Sequence, residues 1–139
     1  AIPSMFTWPV RVYYEDTDLG GVVYYANYLK FLERARTEWL RAVGVHQSRL
    51  LAESRLIFVI VGAELKYLSP ARFDDLLCVT AQLVARRRTA MTFGQTIYRD
   101  DPNGERLVTA TVQAACIDAD SFRPRPIPAD ILAAMEAAS

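Results

Sequence analysis

Tyr14-Glu15-Asp16-Thr17-Asp18-Leu19-Gly20-Gly21-Val22-Val23-Tyr24-Tyr25-Ala26-Asn27-Tyr28 is where this chain changes period. Phe6 to Tyr14 reads as a strand, Leu19-Gly20-Gly21 as a turn, and about Tyr25 to Gly44 as a long helix. A helix that opens beyond a glycine turn presents N–H groups without intrahelical partners and the positive end of its dipole. Acidic side chains in the turn, Asp18 among them, are thus aimed at a place where a developing oxyanion is stabilised, a geometry suited to catalysis.

Downstream, Tyr28, Leu32, Ala35, Trp39 and Val43 recur at spacings of three and four, and Leu29, Phe31, Leu40 and Ala42 widen the stripe. The other face carries Lys30, Glu33, Arg34, Arg36, Glu38 and Arg41, with Glu33/Arg36 and Glu38/Arg41 as compensating i,i+3 pairs. Gly44 suits the end of the helix, and a shorter helix is expected from His46 to Ala52.

Four strand-like runs follow without another long helical pattern: Leu56 to Leu68, Leu76 to Arg86, Met91 to Arg99 and Arg106 to Asp118. The last alternates most clearly, with Val108, Ala110, Val112, Ala114 and Cys116 on one face and Leu107, Thr109, Thr111 and Gln113 on the other. Asp100-Asp101-Pro102-Asn103-Gly104 has the chemistry of a hairpin tip. Arg123-Pro124-Arg125-Pro126-Ile127-Pro128 is expected to be irregular, and a short helix from Ala129 to Ala137 closes the chain. The expected fold class is therefore α+β: a five-stranded antiparallel sheet curled round one long central helix, the hotdog architecture, in a single domain over residues 1–139. Such an open sheet has edges to cover, so self-association is expected.

Composition narrows the function classes. The chain has 139 residues, 52% of them hydrophobic, enough for one core and too few for two domains. Sixteen basic residues balance sixteen acidic ones, so no global field draws it to nucleic acid or to an anionic membrane. Cys78 and Cys116 lie in apolar runs without CxxC spacing, which fits buried, reduced thiols and no zinc site. With no run of eighteen apolar residues, and Pro3 and Pro9 but no basic segment at its start, the chain is expected to be cytoplasmic without stable membrane insertion.

The run Arg11-Val12-Tyr13-Tyr14-Glu15-Asp16-Thr17-Asp18-Leu19-Gly20-Gly21-Val22-Val23-Tyr24, with Ala26-Asn27-Tyr28 and Phe31-Leu32-Glu33-Arg34-Ala35-Arg36-Thr37-Glu38-Trp39-Leu40-Arg41, resembles the YbgC-type acyl-CoA thioesterases associated with the Tol-Pal system. These group with the 4-hydroxybenzoyl-CoA thioesterases. The likeness continues through Ser69-Pro70-Ala71-Arg72-Phe73-Asp74-Asp75-Leu76 and the Arg123-Pro124-Arg125 tail. It implies Asp18 as the catalytic acid, the backbone N–H of Tyr25 as the group that polarises the thioester carbonyl, and basic residues for the coenzyme A phosphates at Arg86 to Arg88. The YbgC-type enzymes usually carry histidine at the position of Tyr25, whereas the 4-hydroxybenzoyl-CoA thioesterases carry tyrosine; an N–H donor survives that exchange. A site between two subunits and a homotetramer built from dimers are further implications.

Thioester hydrolysis needs a positioned oxygen nucleophile and a place for charge on the carbonyl oxygen, and it needs no cofactor, coenzyme A being part of the substrate. Gly21 and Asn27 in the loop, and Arg87, Arg88, Arg123 and Arg125, are the candidate substrate contacts, arginine being suited to bidentate grip of phosphate. Glu15 and Asp16 read as turn formers, Glu33 and Glu64 as structural carboxylates, and Tyr24, Tyr25, Tyr28 and Phe31 as core or as an acyl pocket. His46, the sole histidine, reads as a surface or capping residue, which weighs against a dehydratase. A non-hydrolytic module binding acyl thioesters or acyl carrier protein is the alternative from another class.

Overall fold

The computed structural model describes residues 5–139, and Pro3 lies outside them. Five strands form one antiparallel sheet: β1 Phe6–Arg11, β2 Leu56–Tyr67, β3 Leu76–Arg86, β4 Ala90–Arg99 and β5 Arg106–Asp118, in the order β1-β3-β4-β5-β2. The helices are α1 Tyr28–Ala42, α2 Gln47–Ser54 and α3 Ala129–Ala137. The long helix and five antiparallel strands expected from the sequence are all present.

The first strand stops at Arg11, short of the expected Tyr14. The Tyr13 N–H is captured by the Asp16 carboxylate at 2.9 Å, and a 3-10 turn over Tyr14–Asp16 replaces the strand. Likewise α1 begins at Tyr28, behind a 3-10 turn over Tyr25–Asn27. At its other end Gly44 takes φ +93°, a left-handed conformation that costs glycine little. The proline-rich tail is more ordered than expected: Pro124 bridges Ile117, Asp118 N–H donates to Arg123 O at 2.9 Å, and Arg125 N–H donates to Cys116 O at 2.9 Å. Proline lacks an N–H, so alternate residues carry the pairing.

Tyr28, Phe31, Leu32, Ala35, Trp39 and Leu40 of α1 are buried against the sheet. Fully burying a large apolar side chain is worth about 1.5–3 kcal/mol, more than the propensity differences along a fifteen-residue helix, so packing holds α1 in place. Leu29 and Ala42, placed on the apolar stripe from the sequence, are exposed. Arg36, placed on the polar face, is buried instead. Its Nη1 donates to Gln95 Oε1 at 3.0 Å, and Gln95 Nε2 donates to Leu32 O at 3.0 Å and Thr80 O at 3.1 Å. A single β4 side chain thereby ties α1 to the sheet, between the β3–β4 rungs Val79/Ile97 and Gln82/Gly94.

The sheet gives the molecule two distinct ends. Arg11, Tyr67, Leu76, Arg99 and the N-terminus of α1 lie at one; Leu56, Arg86, Ala90 and Asp118 lie at the other. At about 3.3 Å per residue, β3 alone separates them by roughly 30 Å. No helix among the described residues is long and apolar enough to cross a membrane.

Candidate active site

The loop between β1 and α1 folds as a small hairpin. Thr17 bridges Val23, Asp18 N–H donates to Val22 O at 2.9 Å, and Tyr24 N–H donates to Asp16 O at 2.9 Å. Gly21 N–H closes the turn on Asp18 O at 3.0 Å, and Gly21 itself sits at φ +78°. Leu19-Gly20-Gly21 is thus a three-residue hairpin loop whose last position requires a left-handed residue, which is why glycine stands there.

Asp18 is exposed at the tip. Its Oδ1 accepts the Gly20 N–H at 2.8 Å, which orients the carboxylate. A Cβ on residue 20 would lie 3.2 Å from that oxygen, so glycine there also gives the carboxylate room. Tyr25 stands at the foot of the returning arm and opens the 3-10 turn into α1. Its N–H has no acceptor among the described residues, while its carbonyl accepts Tyr67 Oη at 3.3 Å. The expectation of a free amide at the helix start therefore has a structural counterpart, set in a 3-10 turn rather than in α1 itself.

Beside Tyr25 is a cavity of about 280 Å³ lined by Val23, Tyr25, Tyr28, Tyr67, Leu68, Ser69 and Pro70. Tyr28 is buried, its Oη accepting the Ala71 N–H at 3.0 Å, and burial pushes its phenol above the usual range. Phe31 is wholly core, while Tyr24 and Tyr25 are exposed. Tyr67 reaches the cavity from β2, forty-two residues further along the chain; only the fold brings it there, and no local pattern announces it. Asn27, expected at a substrate, turns its Nδ2 into the hairpin, donating to Asp16 O at 2.8 Å. Glu33 accepts a bond from Thr37, Glu64 is exposed on β2, and His46 is exposed where α2 begins, making no side-chain capping bond.

Two basic segments distant in sequence meet at the far end of the sheet. Ile127 N–H donates to Arg88 O at 3.0 Å and Cys116 N–H to Thr89 O at 2.8 Å, so the Arg123–Arg125 tail lies against the turn that carries Arg87 and Arg88. Arg86 pairs with Glu136. Arg125 is engaged inside the chain, its Nη1 donating to Ser54 O at 2.6 Å and lying 3.5 Å from Asp118. Asp118 is held below the ordinary carboxylate range by the Ser121 N–H first, with Arg125 a smaller contributor. The guanidinium groups of Arg87, Arg88 and Arg123 have no partner among the described residues. All of them lie at the end opposite Asp18, so in one chain the expected acid and the expected phosphate grip do not form a single site.

The profile of the thioesterase-like superfamily matches residues 12–135. This chain belongs to the thioesterase-like superfamily. It is 44% identical over 130 residues to the acyl-CoA thioester hydrolase YbgC of Escherichia coli O6:H1, covering 94% of this chain and 95% of that protein. A crystal structure of a probable thioesterase from Bartonella henselae superimposes with a TM-score of 0.83 at 34% identity, covering 90% of this chain and all of that one. A 4-hydroxybenzoyl-CoA thioesterase bound to 4-hydroxybenzoyl-CoA shares the fold, with a TM-score of 0.84 at 23% identity over 93% of this chain and 96% of that one. The superfamily places the chain among thioester hydrolases.

Proposed function

We propose that this acyl-CoA thioester hydrolase uses Asp18 as its carboxylate and the Tyr25 peptide N–H as its oxyanion donor. A thioester carbonyl has weak resonance stabilisation and a good leaving group, so a fixed carboxylate and one aligned donor address both demands of the reaction. Asp18 either attacks the carbonyl carbon, giving a mixed anhydride that water hydrolyses, or takes the proton of an attacking water; both expel the coenzyme A thiolate. The observation that carries the proposal is the hairpin itself: its turn fixes the carboxylate through Gly20, and its returning arm ends on an amide without an acceptor among the described residues.

The phosphate grip is assigned to Arg87, Arg88 and Arg123, with Arg125 reserved for the fold. Because these lie at the far end of the sheet, the proposal includes a second copy. Among the described residues the β2 edge has its outer side unpaired, with Ile60 and Val61 exposed on it, and Leu19 projects fully into solvent beside Asp18. Two-fold pairing along β2 runs the strands antiparallel, which sets one chain's Tyr67 end beside the other chain's Leu56 end. The arginines of one copy then stand near the hairpin of the other. A tetramer of two such dimers and a cytoplasmic location, the latter resting on two free buried thiols, complete the proposal.

Trapping of released thiol over a panel of acyl- and aroyl-CoA esters tests it. Asp18→Asn is expected to lower kcat by on the order of 10³-fold or more while acyl-CoA binding persists. Near-normal turnover by that variant removes Asp18 from the mechanism.

A further inference from the structure

Asp16, two residues before the proposed catalytic carboxylate, is one of the few buried polar residues among those described, with only 3% of its surface exposed. It is used at both of its polar ends. Its Oδ2 accepts the Tyr13 N–H at 2.9 Å, which stops β1 and starts the outgoing arm of the hairpin. Its Oδ1 faces Lys30 Nζ of the first turn of α1 at 3.4 Å. Its backbone carbonyl accepts two donors from the returning side, the Tyr24 N–H at 2.9 Å and Asn27 Nδ2 at 2.8 Å. One residue thus joins the end of β1, the hairpin, the 3-10 turn that begins with Tyr25, and α1.

We propose that Asp16 is a positioning residue for thioester hydrolysis: it sets the separation between the Asp18 carboxylate and the Tyr25 amide, and Asn27 acts with it. This rests on the roles proposed for those two groups. The Tyr24–Asp16 bond immediately precedes the Tyr25 N–H, and Thr17 alone separates Asp16 from Asp18, so the backbone that carries each reacting group is anchored at or next to Asp16. The contributions are unequal. The Lys30 pair is long and its cation is half exposed, so it is worth little; the bond from the Tyr13 N–H to a buried carboxylate is charge-assisted and shielded from water. Hydrolysis demands tight placement of attacking oxygen and oxyanion donor, whereas gripping the rest of the substrate does not, so loosening the hairpin falls on kcat rather than on KM.

Asp16→Asn keeps the side chain's size but replaces one acceptor oxygen with a donor, leaving either the Tyr13 N–H or Lys30 unmatched. The expected result is a fall in kcat of about 10- to 100-fold with KM changed less than about threefold, while Lys30→Met stays within about threefold of the parent. The discriminating measurement is the double variant Asp16→Asn/Asp18→Asn. If Asp16 acts through Asp18, it is no slower than Asp18→Asn alone. Equal slowing by Asp16→Asn in both backgrounds marks a general structural role and overturns the proposal, as does a folded Asp16→Asn enzyme with kcat within twofold of the parent. An Asp18→Asn enzyme of normal activity overturns both this inference and the mechanism beneath it; an inactive Asp18→Asn beside a normal Asp16→Asn overturns this inference alone.

Discussion

Cys116 lies wholly buried on β5, and burial pushes its thiol up to about 11, with Arg125 nearby pulling weakly the other way. The neutral thiol is therefore the folded form across the ordinary pH range, and it is not a nucleophile. The sign of the linkage follows. The folded pKa lies above the ordinary 9.0, so the stabilisation is complete below that pH and is lost as pH rises toward 11, where the unfolded chain ionises first. Denaturant midpoints are expected to fall between pH 9 and 11, with a shallower fall in Cys116→Ala; native protein should resist alkylation at this position until it is unfolded. Rapid native alkylation of Cys116 contradicts its placement. The burial of both cysteines was legible in their apolar runs, and Asp18 in its glycine turn, because each is a local pattern. The engagement of Asn27 and Arg125 was not: their partners, Asp16 O and Ser54 O, are backbone carbonyls that no side-chain pattern reveals.

The elements themselves were legible for the same reason. The apolar stripe of α1 and the alternation of β5 are set by period, which a linear sequence carries intact, whereas the ends of β1 and α1 are set by competition for single hydrogen bonds. The buried face of α1 shows the limit most clearly. Arg36 sits among charged residues in a sequence pattern that points it to solvent, yet it inserts over β4, where burial pulls its guanidinium below the usual range and Glu33 only partly offsets this. Its side-chain hydrogen-bond partner is the neutral Gln95, fifty-nine residues away. Gln95→Leu leaves the guanidinium without that acceptor and releases the donor bonds to Leu32 O and Thr80 O. Breaking such a buried network costs about 3 kcal/mol, and Gln95→Leu/Arg36→Met should recover a large part of that loss. Urea unfolding of the two variants checks it. A Gln95→Leu protein as stable as the parent means that the network does not hold α1 on the sheet.

The separation of the two ends of the sheet bears on activity as well as on shape. Asp18 and Tyr25 stand at one end and Arg87, Arg88 and Arg123 at the other, with the length of β3 between them, so the number of copies decides whether they act together. On β2 the bulge between Ile60 and Gly62 leaves Val61, 63% exposed, at the middle of the free edge. A lysine on an edge strand disfavours pairing with another edge, and natural sheets use it that way. Val61→Lys is therefore expected to run as a monomer in sedimentation while keeping its circular dichroism spectrum. Thioester hydrolysis should fall by about 100-fold or more in kcat/KM although the Asp18 hairpin of each chain is untouched, because the partner's phosphate grip is worth several kcal/mol of binding. Mixing it with an Asp18→Asn chain should restore little, since the Asp18→Asn chains keep their edges but pair with one another, and the intact hairpins stand only on chains whose edge carries the lysine. A monomeric Val61→Lys enzyme with parental kcat/KM requires that one chain hold the whole substrate, and the arginines at its far end then have another role.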